Sequence, residues 1–98
     1  MSRREFIIQE IAVNGRKIKR VVVDDHVDKH KDITDDLILD LVRLLDGIEQ
    51  LPDDISSPYE YYVTLLGIQD KQYKVVWLLE DDELYIGIVT VYRDDRRK

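Results

Sequence analysis

His26 and His30 are the only histidines of the chain, four residues apart among Asp24, Asp25, Asp28 and Asp32. On a helix the two imidazoles would share a face. Two imidazoles with a carboxylate can hold zinc or another transition metal. The HExxH glutamate is missing, because Val27 follows His26, and HxxxH spacing recurs widely without a ligand role. The plainer reading is a polar crossing whose histidines hydrogen-bond locally, and no metal or cofactor is expected. The six tyrosines, Tyr59, Tyr61, Tyr62, Tyr73, Tyr85 and Tyr92, all fall in β-rich runs. A sheet of such rings can stack bases, but Tyr is also a favoured strand residue, and the flanking charge is mixed. Other chemistries find no footing. The four glycines stand alone, so no phosphate-cradling loop exists. There is no GxSxG elbow. Without cysteine there is no disulfide, thiolate ligand or thiol nucleophile. Acid pairs such as Asp81-Asp82 read as turn residues.

The chain has 98 residues, 44% hydrophobic and 37% charged, which suits one globular domain spanning residues 1–98. The net charge of −6 argues against a general nucleic-acid binder. That charge is uneven. Residues 1–23 hold six basic and two acidic side chains, residues 24–54 three and eleven, and residues 55–98 six and eight. The acidic middle is either a solvated face or a surface for a basic partner. No signal peptide or membrane span is legible, so a cytoplasmic protein is expected.

The last third carries the strongest pattern. Tyr73-Lys74-Val75-Val76-Trp77-Leu78-Leu79-Glu80 and Leu84-Tyr85-Ile86-Gly87-Ile88-Val89-Thr90-Val91-Tyr92 predict a hairpin apolar on both faces, which belongs mid-sheet. A charged tail, residues 93–98, leaves the second run. Asn14-Gly15 predicts a type I′ turn joining two earlier strands. Arg16, Lys17, Lys19 and Arg20 on the second arm read as charges guarding an exposed edge. Thr34 is a fitting N-cap for a helix over residues 35 to about 46, with Leu37, Ile38, Leu41, Val42 and Leu45 on one face and Gly47 at the stop. Residues 48–58 read as a turn-rich loop, and residues 59–66 as a further strand. The expected fold is α+β, a two-layer ββαβββ domain with one helix on a mainly antiparallel five-stranded sheet. One short helix cannot cover both faces of such a sheet. Either the sheet curls strongly or a second copy covers the open face, which points to a homodimer.

The hairpin Tyr73-Lys74-Val75-Val76-Trp77-Leu78-Leu79-Glu80, then Leu84-Tyr85-Ile86-Gly87 and Tyr92-Arg93, resembles a group of short uncharacterised bacterial proteins. So does Lys29-His30-Lys31-Asp32-Ile33-Thr34-Asp35 with the Leu-rich helix after it. More distantly, a histidine beside a basic residue, a short helix and three strands ending in Tyr or Arg resembles BrnT-like toxins of the RelE/ParE-like fold. Those toxins are usually basic and place their helices first, whereas this chain is acidic and opens with a hairpin. The distant resemblance implies a metal-independent endoribonuclease. His26 or His30 would then be general base or acid, since only histidine titrates near neutrality unperturbed. Arg93, Arg96 or Arg97 would stabilise the phosphorane-like charge, and Tyr92 would position a base or assist proton transfer. Each residue alone reads more plainly as a solubilising tail charge or a loop histidine.

The reading preferred on the sequence is a small protein–protein interaction module. Its partner is another copy of itself, an antitoxin-like protein, or a basic protein docking on residues 24–54. The ribonuclease toxin is the alternative, and RNA is a partner only there.

Overall fold

Asn14 and Gly15 turn the chain back with φ of 51° and 80°, both positive as a type I′ turn requires. β1 (Arg4–Val13) and β2 (Arg16–Val23) pair antiparallel across that turn. The remaining elements are α1 (Asp35–Arg43), β3 (Asp54–Ser56), β4 (Tyr59–Ile68), β5 (Lys71–Glu80) and β6 (Tyr85–Arg93). The computed structural model describes residues 4–24 and 33–94.

The sheet order is β1-β2-β6-β5-β4-β3. β2 and β6 run parallel, and every other pair is antiparallel. The protein is thus α+β, with one helix on a curled, mixed sheet that forms a half-barrel. The expected mid-sheet hairpin is β5 and β6. Two details of the expected fold are corrected. A sixth strand, β3, pairs Asp54, Ile55 and Ser56 with Tyr61, Glu60 and Tyr59. All three of its residues are exposed, so no buried alternation marks it in the sequence. The basic arm β2 is an interior strand, and β1 is the edge. Its charges have other work: Arg16 donates to the carbonyls of Glu80 and Glu83 at 2.8 and 3.3 Å, and Arg20 pairs with Glu5 at 2.8 Å.

Curling answers much of the two-face problem. Pairing slips in β1 between Ile7 and Ile11. It slips again where Val76 faces Thr90 but Trp77 faces Ile88, leaving Val89 as an extra residue in β6. Such bulges bend a strand and increase its twist. On the helix side Ile18, Val21 and Val23 of β2, Val75, Trp77 and Leu79 of β5, and Ile86, Ile88 and Val91 of β6 are buried. They close on Ile38, Leu41, Val42 and Leu45 in one core.

The Thr34 hydroxyl accepts the Leu37 N–H at 3.2 Å, as an N-cap should. α1 ends at Arg43, earlier than its apolar stripe suggests. The N–H groups of Leu44, Leu45 and Asp46 bond three residues back, tightening the final turns. Gly47 takes a φ of 86° where the stop was expected. Its N–H meets the Ala12 carbonyl at 2.6 Å, and the Asn14 N–H meets Ile48 at 2.9 Å, so the chain after α1 seals the end of edge strand β1. Arg4 and Asp35, 2.9 Å apart, tie the start of β1 to the helix.

Candidate functional site

His26, His30, Arg96 and Arg97 lie outside the described residues. Of the residues with a possible catalytic role, Tyr92 and Arg93 are placed, both in β6. Tyr92 faces away from the helix, its ring centroid 6.0 Å from Lys74 Nζ. Arg93 stands opposite Tyr73, which belongs to the helix-side core, and strand alternation sends these neighbours to opposite faces. The pair therefore cannot serve one reacting group from one side. Among the described residues no group of three His, Asp or Glu side chains could hold a metal ion.

The best-developed polar cluster surrounds the first hairpin. Asn14 donates through Nδ2 to the Tyr62 hydroxyl at 3.0 Å and accepts the Gln50 N–H at 2.7 Å. The Tyr62 hydroxyl donates to Glu60 at 3.0 Å. Trp77 Nε1 donates to Thr64 at 2.9 Å, and the Thr64 hydroxyl donates to the Gln50 side chain at 2.9 Å. The Tyr62 and Trp77 rings stack with centroids 4.2 Å apart. A hollow of 480 Å³ opens beside this cluster, lined by Asn14, Arg16, Gln50, Glu60 and Tyr62 among others. Its polar groups are spent on one another and on the backbone, which marks it as structural. Burial raises the Tyr62 phenol above its ordinary value of 10.0, and the Glu60 carboxylate pushes the same way. A raised phenol keeps its proton in the folded chain after the unfolded chain has lost it. The resulting stability is complete below pH 10 and falls as pH rises through the folded value. Urea midpoints measured at about pH 9 and about pH 11 should show that loss, and Tyr62→Phe should reduce it.

The face of the sheet turned away from the helix has a different character. Tyr59, Tyr61, Val63 and Leu65 alternate out of β4 onto it. Tyr61, Leu78, Gly87 and Val22 form one row across β4, β5, β6 and β2. Gly87 offers no side chain, and a pit of 230 Å³ opens there. A Cβ at Gly87 would lie 2.8 Å from Leu78 Cδ1. Gly87→Ala should therefore cost about 1–3 kcal/mol by overpacking. Leu78→Ala in the same chain should recover part of that loss, a coupling read from a double-mutant cycle of urea midpoints.

Tyr59 and Tyr61 lie 6.3 Å apart, tilted by 58°, and their hydroxyls make no hydrogen bond among the described residues. Leu65 is 53% exposed and Val63 37%. Sequence reasoning grouped all six tyrosines as strand residues and did not divide them. The signal was present in Tyr59-Glu60-Tyr61-Tyr62, where alternation puts Tyr59 and Tyr61 on one face and Tyr62 on the other.

Comparison with protein-family models, with curated proteins and with solved structures finds no match. No helix of the described residues is long and apolar enough to cross a membrane.

Proposed function

We propose that this chain is a protein-interaction module that makes its contact through the open face of the sheet. The observation that supports it is the strip of Tyr59, Tyr61, Val63 and Leu65 on β4, continued by Leu78 and Val76 on β5. Contiguous exposed apolar surface commonly marks an interface. Tyrosine adds a broad apolar ring and a hydroxyl for the partner's polar groups. The partner is a second copy, giving a homodimer, or another protein of the cytoplasm such as an antitoxin-like one.

The test is affinity capture from the source cells with a tagged wild-type chain and a Leu65→Glu chain as baits. A second, differently tagged copy reports self-association. We expect wild type to retain one partner at near-equal amounts and Leu65→Glu, still folded by circular dichroism, to lose it. Equal retention by the two baits, or no partner for a soluble wild-type bait, would contradict the proposal.

A further inference from the structure

The pit at Gly87 has the makings of a receptor for a cation. Its floor is apolar, with Leu78 on one side of Gly87 and Val22 on the other. Tyr59, Tyr61, Tyr85 and Asp24 are among the residues that line it. The Asp24 N–H donates to the Ile88 carbonyl at 3.0 Å, which fixes that residue beside β6. Glu80 accepts a hydrogen bond from the Tyr85 hydroxyl, which holds a carboxylate next to that lining residue. Aromatic faces attract cations, most strongly when water is displaced. Guanidinium is planar, weakly hydrated and able to stack on a ring while donating at its edge. The protein already uses this chemistry once, for Arg20 lies 5.8 Å from the centre of the Tyr85 ring. Tyr59 and Tyr61 have no such cation among the described residues, and their hydroxyls are unspent. A chain of net charge −6 also favours a basic partner over a second acidic copy.

We infer that the Gly87 pit receives an arginine side chain of the partner protein, stacked against Tyr59 and Tyr61 on the side of the pit that Asp24 lines. The inference rests on the interaction reading and supplies the chemistry of its central contact.

The test follows the tyrosine ring signals by NMR while N-acetyl-arginine N-methylamide is added. N-acetyl-citrulline N-methylamide, the same shape without the charge, is the control. The Tyr59, Tyr61 and Tyr85 signals should move with the arginine compound at least about 5-fold further than with the citrulline compound. Asp24→Asn and Tyr61→Leu should each reduce that response, with an unshifted Trp77 indole signal showing that the fold is intact. Tyr61→Leu keeps apolar bulk at the site, so it serves even if Asp24→Asn disturbs the loop. Equal responses to the two compounds, responses confined to other residues, or none up to about 50 mM would overturn the inference. Such a failure, with Leu65→Glu still losing its partner on capture, would discard the arginine site alone. Loss of both results would discard the interaction face as well.

Discussion

Trp77→Ala is expected to lower the unfolding free energy by about 3–5 kcal/mol. Trp77 is fully buried at the centre of the sheet, with the Tyr62 ring stacked on it at 4.2 Å. Its removal leaves a cavity between β4, β5 and the helix, and it deprives Thr64 of the indole N–H. A domain of this size holds about 5–15 kcal/mol in total, so the loss consumes a large share of it. The urea midpoint, followed by circular dichroism because the indole fluorophore is gone, should fall by about a fifth or more. Trp77→Phe keeps one ring in place, leaves a smaller cavity than alanine, and loses the donor while Thr64 remains bonded to Gln50. Its cost should be about 1–2 kcal/mol.

Asn14→Ala is expected to cost about 2–5 kcal/mol, for two separable reasons. Asn14 sits at a φ of 51°, where alanine is strained by roughly 1–2 kcal/mol. Its side chain also joins three parts of the fold, donating to Tyr62 on β4 and accepting from the Gln50 backbone in the loop after α1. Losing a part-buried hydrogen bond costs about 0.5–1.5 kcal/mol each. Asn14→Gly tolerates the turn conformation and forfeits only the side-chain bonds, so its midpoint should lie between wild type and Asn14→Ala. Equal midpoints for the two variants would show that the turn conformation carries no cost here.

The parts of this fold with local causes are legible in the sequence. Asn14-Gly15 dictates a turn, Thr34 a helix start, and the apolar run around Trp77 a central strand. The parts with nonlocal causes are not. Parallel pairing of Val21 with Ile86 joins residues far apart in sequence, and nothing near either one announces it. The basic residues of β2 resemble edge protection, yet Arg16 and Arg20 are engaged by Glu80, Glu83 and Glu5. Residues 67–71 read as the return to the Trp77 run, and the turn falls there, but its conformation hides. Gln69 and Asp70 adopt φ of 52° and 68° without a glycine to signal it. At the candidate face, alternation alone places Tyr59, Tyr61, Val63 and Leu65 together. The pit required knowing that Leu78 and Val22 flank Gly87, which only strand register supplies.

The claim that the open face is the contact surface is tested most directly by measuring the captured partner's affinity for three chains. These are wild type, the open-face variant Val63→Glu/Leu65→Glu, and the helix variant Asp36→Lys/Asp40→Lys, which reverses charge on the exposed side of α1. The open-face variant is expected to bind about 30-fold or more weakly, the loss of at least one interface anchor, while the helix variant stays within a few-fold of wild type. Wild-type affinity in the open-face variant, with binding lost in the helix variant, would contradict the claim and move the contact to the acidic helix.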